Sequence, residues 1–388
     1  MKILYSAIDQ AAPAAHGGAV HVMAVAEGLA GLGHDVQVLV SPGDEGWLPR
    51  GRAEWVALAP PLGNRRLRLL RAGAVLARAR AFGPSVVIER YYNFGGEGLL
   101  AARNVGALAV LEVNAPVVDH PGSMKRLLDR ALVAEPMRRW RDWQCRNADV
   151  IVTPSPRIIP AHVPASKIHL TEWGADTASF HPGAAGPLPF SRRDGEVIAV
   201  FSGAFRAWHG AIHLVEAIRR LRARGRTDIT AVLVGDGPEL PRVREAARAV
   251  EGITLTGAVP HSQVPAILAG ADIGVAPFDI AAHPALAHEF YWSPLKIFEY
   301  MASGLPVVAP RIERLATIVG DGREGILYDA ADPDGLAAAL ERLSAHDARR
   351  ALGTAARERA VRQFSWDSHC CRLDEAIRAA RDRKPCAS

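Results

Sequence analysis

A chain of 388 residues with a formal net charge of +5, 22% charged and 49% hydrophobic, has the composition of a soluble globular protein and enough length for two cores of similar size. No apolar run approaches the roughly 18 residues of a membrane span, and the opening MKILYSAI enters a strand pattern directly, so a cytoplasmic protein without a nucleic-acid partner is expected. The four cysteines, Cys145, Cys370, Cys371 and Cys386, lack metal-ligand spacing and read as free thiols.

Residues 2–8 form an apolar run of strand length, followed by a loop ending in HGGAVHV. Val22, Val25, Leu29 and Leu32 then mark a helix, Gly33 stops it, and DVQVLVS is the next strand, which together make a βαβ unit. Gly17 and Gly18 let backbone approach a ligand closely, and the helix after them can offer its first amides to an anion. A tight turn is the plain alternative, and the absence of GxGxxG counts against a nicotinamide enzyme.

Strand-like runs recur at 85–90, 108–113, 150–155 and 167–173, alternating with helical stretches at 65–82 and 123–148, so the sheet is expected to be mostly parallel. Ligands of such sheets gather at the carboxyl ends of the strands, where Asn93, Glu112, Asn114 and His120 fall. Each has an ordinary alternative as a turn former or paired buried group, and Asn114 is the preferred acceptor-side candidate, with His120 beside it. Arginines crowd into 65–80 and 125–146, the latter interleaved with Trp140 and Trp143. Such helices are either solvated arginine-rich faces or surfaces for an anionic bilayer or acceptor, which allows peripheral contact at the inner membrane face.

The Pro- and Gly-rich stretch 181–195 is the best linker in the chain and divides it into expected domains at 1–183 and 184–364. After it the pattern restarts with VIAVFSG, the loop FRAWHG and a helix, and strand-like runs follow at ITAVLVGDG, ITLTGAV, DIGVAPF, LPVVAP and EGILYD. A second doubly wound domain results. Residues 365–388 should form a closing helix that packs back on the first domain, with a frayed end.

Two loops of the second domain carry the chemistry. Gly203, Arg206, His209 and Gly210 lie between a strand and a helix, where a glycine turn plus cations would suit a pyrophosphate. In FYWSPLKIFEYMASGLPVVAPR, residues 290–311, a helix is expected to start at Trp292 or Ser293 with Pro294 in its first turn. Lys296 and the amides near Ser293 and Leu295 would hold phosphate, and Glu299 would accept from a sugar diol. An i, i+3 salt bridge between Lys296 and Glu299 on a surface helix is the alternative.

With these loops in place, the segments HGGAVHVMAVAEGLAGLGHDVQVL, NADVIVTPS, KIHLTEWGADTASFHP, VFSGAFRAWHGAIHLVEAIRRL, VLVGDGPEL, LTGAVPHSQVPAILAGADIGVAPF and SPLKIFEYMASGLPVVAP give the chain a resemblance to the retaining glycosyltransferases of family four, glycosyl transferases group 1. The resemblance covers nearly the whole chain. It implies the α/β GT-B architecture, two Rossmann-like doubly wound domains facing across a cleft, with a UDP- or GDP-sugar held mainly by the second and an acceptor mainly by the first. Glu299 would bind the donor ribose, Gly18 would approach phosphate or acceptor, and Val259 would meet the base through its backbone.

Three departures from the family pattern stand out. Tyr291 stands where the first glutamate of the pair belongs, Glu289 being two residues too early. Ala204 and His209 occupy the usual arginine and lysine positions, leaving Arg206 and His209 as candidate cations. Asn114 replaces a histidine. Lys296 would take over phosphate binding, so Arg206, Lys296 and Glu299 are the expected catalytic set, with no metal and no cofactor beyond the nucleotide sugar. The reaction implied is transfer to a hydroxyl of a glycan, a lipid-linked sugar or a small natural product. A catalytically silent partner subunit and another GT-B enzyme, such as a sugar-nucleotide epimerase, are the alternatives.

Overall fold

In the computed structural model, residues 1–12, 17–43, 48–59, 70–119, 123–132, 134–284, 286 and 290–383 are described. The strands are short apolar runs separated by helices, and a parallel pair needs such a crossover to return the chain to the same sheet edge. In the first sheet β1 (Lys2–Ala12), β2 (Asp35–Pro42), β3 (Glu54–Ala57), β4 (Val86–Arg90), β5 (Leu108–Glu112), β6 (Val150–Thr153) and β7 (Ile168–Leu170) lie in the order β3-β2-β1-β4-β5-β6-β7, all parallel. In the second, β8 (Val197–Ser202), β9 (Ile229–Val234), β10 (Ile253–Gly257), β11 (Ile273–Val275), β12 (Val307–Pro310) and β13 (Gly325–Tyr328) lie in the order β10-β9-β8-β11-β12-β13, again parallel. Each order reverses once, beside β1 in the first sheet and beside β8 in the second, and the crevice outside the carboxyl ends at such a reversal is where doubly wound sheets bind ligands.

The chain divides into two compact units, 1–173 with 291–293 and 366–388, and 174–290 with 294–365. The passage between them therefore falls at Trp173 and Gly174, ahead of the boundary expected at 183. Just ahead of the Pro- and Gly-rich stretch, Phe180 is buried and its carbonyl accepts from Arg357, which also donates to Thr177 and Ala302 carbonyls at 3.0 and 2.6 Å. Arg192 holds the same stretch through two bonds of 2.7 and 2.6 Å to Asp272. The closing helix Trp366–Arg383 belongs to the first unit, where Leu373, Ile377 and Ala380 share a core with Val22, Val25 and Leu29. A side chain at Gly28 would meet Cys370 Sγ at 2.4 Å, so the glycine permits that helix to approach. Cys145, Cys370 and Cys371 are free thiols; Cys386 lies outside the described residues.

Two expected helices differ. The stretch 123–148 is two helices, Met124–Ala131 and Pro136–Asn147, because Pro136 cannot continue a preceding turn and Asp129 takes the Met137 and Arg138 amides that open the next one. The helix carrying Lys296 begins at Leu295, with Pro294 as the residue before its first turn, so neither Trp292 nor Ser293 starts it.

Candidate functional site

In the second unit, β8 ends at Ser202 and the chain turns through Gly203 at φ 139°. The helix Leu295–Ala302 is fixed over the ends of β8 and β11 by Tyr300, whose hydroxyl accepts from the Ser202 amide at 2.7 Å and donates to the Val275 carbonyl at 3.4 Å. Gly274 makes the contact possible, since a Cβ there would lie 2.5 Å from the Tyr300 ring. This clamp sets the first turn of the helix at the reversal in strand order.

Lys296 is 9% exposed, and its Nζ has no hydrogen-bond partner among the described residues. The ammonium lies 4.2 Å from the centroid of Phe201 and 5.3 Å from that of Phe278, and a Cβ on Gly203 would sit 3.2 Å from it. Burial lowers its pKa to about 7, against the opposing pull of Glu299. The i, i+3 salt bridge is not formed: Glu299 Oε1 instead lies 3.6 Å from Nε2 of His261, whose pKa the carboxylate raises. His261 rests edge-on against Phe180, with centroids 5.8 Å apart. An unpartnered cation beside a bare glycine and the first amides of a helix can take an anion, and Glu299 can accept from hydroxyls beside it.

Arg206 is exposed, with its guanidinium 5.8 Å from the Trp208 ring centroid. His209, expected as a cation, is not one: burial, Lys296 and Arg206 lower its pKa to about 3. Its Nδ1 faces the Ala204 carbonyl, which can only accept, so the proton sits there and the ring is a neutral donor. Val259 follows β10 and stands two residues before His261 in the chain. Leu295 opens the helix.

Ser293 belongs to the first unit, where its hydroxyl donates to Glu172 at 2.5 Å and accepts from the Trp173 amide at 3.1 Å. Tyr291 is buried in the same unit. His120 and Glu289 lie outside the described residues.

At the strand-order reversal of the first unit, a buried polar cluster gathers on Glu112. Tyr5 donates to Oε2 at 2.5 Å, Asn114 donates to Oε1 at 2.9 Å, and His21 Nε2 lies 2.7 Å from Oε1. Arg90 reaches Nδ1 of His21 at 3.2 Å, and its Nε lies 3.5 Å from Asp9. A guanidinium can only donate, so His21 Nδ1 accepts and the ring proton faces the carboxylate. Burial disfavours the Glu112 anion, but His21, Arg90 and Tyr5 outweigh it and hold the carboxyl well below its usual range. Asn114 also accepts from the Trp173 indole at 2.9 Å, and His21 packs on that ring with centroids 4.4 Å apart. Both ends of the Asn114 amide are therefore engaged within the unit. Gly17 and Gly18 open the helix Gly17–Gly31 that carries His21.

His21, His261, Tyr300 and Trp173 were not singled out from the sequence. His21 stood in the quoted HGGAVHV and His261 in the loop after β10, so position at a strand's carboxyl edge was the available signal for both.

The family model described as Glycosyl transferases group 1 matches residues 196–346, and that described as Glycosyltransferase Family 4 matches residues 15–179. Among curated relatives, MMP alpha-(1->4)-mannosyltransferase of Mycolicibacterium hassiacum is 33% identical over 53% of this chain and 47% of its own length. Phosphatidyl-myo-inositol mannosyltransferase of Mycolicibacterium smegmatis is 26% identical over 89% of this chain and 86% of its own. The chain thus spans about half the length of the first of these. Among solved structures, Anabaena HepE in complex with UDP and glucose superposes with a TM-score of 0.68 at 15% identity, covering 98% of this chain and 100% of that one. It shares the fold, the GT-B arrangement of two parallel-sheet domains.

Proposed function

This chain belongs to the family 4 glycosyltransferases, and on that premise we propose that it moves a sugar from a UDP- or GDP-sugar to an acceptor hydroxyl with retention of anomeric configuration. The observation that carries the reading is the buried, unpartnered Lys296 ammonium beside Gly203 at the strand-order reversal of the second sheet. As the glycosidic carbon–oxygen bond breaks, its electron pair leaves on the diphosphate, and Lys296 and Arg206 oppose the charge that develops there. Leu295 adds a backbone donor, while the single N–H of His209 stays on the Ala204 carbonyl and holds the loop. Glu299, oriented by His261, accepts from the ribose hydroxyls, and backbone at Val259 meets the base. The acceptor loses its proton to the leaving oxygen. Asn114 serves on the acceptor side by orienting Trp173, and a glycan or glycolipid acceptor is supported by the inositol phospholipid in the second relative's name.

A nucleotide at about 100 times its dissociation constant stabilises a protein by about 2.7 kcal/mol. UDP or GDP is therefore expected to raise the melting temperature of the wild type, and Glu299→Ala to lose most of that rise. If no nucleotide shifts the wild type, or if Glu299→Ala keeps the full shift, the site is wrongly assigned.

We also propose that the cations named above do the work a divalent metal does elsewhere. Enzyme dialysed against EDTA should keep its transfer rate without added magnesium. Activity that disappears on chelation and returns with magnesium would refute this.

A further inference from the structure

We propose that His261 is a positioning residue that keeps Lys296 available to the diphosphate, by holding the Glu299 carboxylate that would otherwise pair with it. The inference rests on the donor-site reading above and deepens it: His261 acts on the phosphate end of the site as well as on the ribose end.

Lys296 and Glu299 stand three apart on the helix Leu295–Ala302, a spacing that brings opposite charges together on one face. Both are buried, and charges removed from water attract one another more strongly than exposed ones do. The pair is nonetheless open. Glu299 lies against the His261 imidazole, and Lys296 is left between the rings of Phe201 and Phe278 with no hydrogen-bond partner. Among the described residues no other cation lies within 4.0 Å of Glu299.

The features that hold His261 in place lie outside that helix. Pro260, at φ −56°, sets the turn His261–Gln263, and the Gln263 amide closes it on the Pro260 carbonyl at 2.9 Å. The imidazole rests on Phe180, whose carbonyl Arg357 fixes. Two carboxylates act on the ring and favour its charged form, Glu299 and Asp176. Asp176 is already engaged by the Ala178 and Ser179 amides at 3.1 and 3.2 Å, so Glu299 is the one left for His261 to hold.

Around Lys296, burial and Glu299 set the charge state, and the neighbouring His209 is neutral. Without the imidazole, the carboxylate three residues along is the natural counter-ion for the buried ammonium. That ion pair would raise the lysine's pKa and would have to break each time a diphosphate binds. A cation that holds one half of an i, i+3 pair therefore keeps the other half free.

The lysines of the chain are Lys2, Lys125, Lys167, Lys296 and Lys384, so NMR of the full chain carrying isotope-labelled lysine resolves their titrations, with Lys296 assigned by its loss in Lys296→Arg. The wild-type midpoint is expected at about 7. His261→Ala should raise it by about one pH unit or more, His261→Arg should leave it near the wild type, and His261→Ala/Glu299→Gln should bring it back down. Inorganic pyrophosphate, which carries no ribose for Glu299, is the binding probe, used at about pH 6 so that Lys296 is charged in every variant. Its affinity should fall about tenfold in His261→Ala and recover in His261→Ala/Glu299→Gln, so that removing the carboxylate strengthens binding once His261 is gone. A Lys296 midpoint that stays in place in His261→Ala, or a loss of affinity that Glu299→Gln fails to reverse, overturns the proposal. Wild type that binds neither pyrophosphate nor nucleotide overturns the donor-site reading instead, and the lysine titration then still decides whether His261 keeps Glu299 from Lys296.

Discussion

Replacing Lys296 by alanine is expected to lower the turnover number about 10²–10³-fold, equivalent to about 2.7–4 kcal/mol of transition-state stabilisation. The ammonium is held without a hydrogen-bond partner, so no rearrangement is needed before it meets the charge that builds on a departing diphosphate. Its loss also leaves a gap between Phe201 and Phe278 that solvent can enter. Single-turnover rates of wild type and variant, measured with saturating donor, read the effect directly. Equal rates would remove Lys296 from the reaction.

The same residue gives a pH dependence with a defined sign. With its pKa lowered to about 7, the free enzyme loses the Lys296 charge as pH rises above 7, while a bound diphosphate raises the pKa again. Nucleotide binding above pH 7 therefore takes up a proton, and affinity should fall by up to about tenfold per pH unit until the bound form also titrates. Titrations across pH 6.5–8.5 in wild type and Lys296→Ala would show it, with the slope present only in the wild type. For stability the sign is opposite. Between about 7 and 10.5 the unfolded chain binds more protons at this site than the folded one, so the wild type gains stability as pH rises through that window. Lys296→Ala lacks that gain.

The second large effect is on stability. Glu112→Ala removes the acceptor of Tyr5 and Asn114 and the counter-ion of Arg90 from the interior of the first unit. Removing one partner of a buried charged set costs about 3–5 kcal/mol, which in a unit of this size lowers the melting temperature by roughly 10 °C. Glu112→Gln keeps an acceptor for Tyr5 and should lose less. A melting temperature for Glu112→Ala within a degree or two of the wild type would show that water replaces the carboxylate without cost. Because Glu112 is held below the usual carboxylate range, its contribution is present at neutral pH and disappears only as pH falls through that depressed value.

Much of the fold was legible because its signals are local. Apolar runs of strand length alternating with helical periodicity lead to parallel sheets, and both sheets have that form. Composition marks 181–195 as a segment that could move freely, while Asp272, distant in sequence, is what tethers it through Arg192. The helix break at Pro136 was written in the proline itself, but Asp129 turned inward only because two amides of the next helix needed an acceptor.

By itself, then, the sequence determined two doubly wound units, the family, and the two segments that bear Arg206 and the pair Lys296 and Glu299. Those depend on side-chain period, on glycine and proline positions, and on ordered segments, all of which a linear string contains. Only the tertiary structure decided the state of those side chains. Whether Lys296 pairs with Glu299 or stands alone over Phe201 and Phe278, whether His209 is a cation, and which face of Met124–Ala131 meets solvent are questions of partners from other elements. Charge state and exposure depend on desolvation and on neighbours in space, and the spacing of residues along the chain does not specify either.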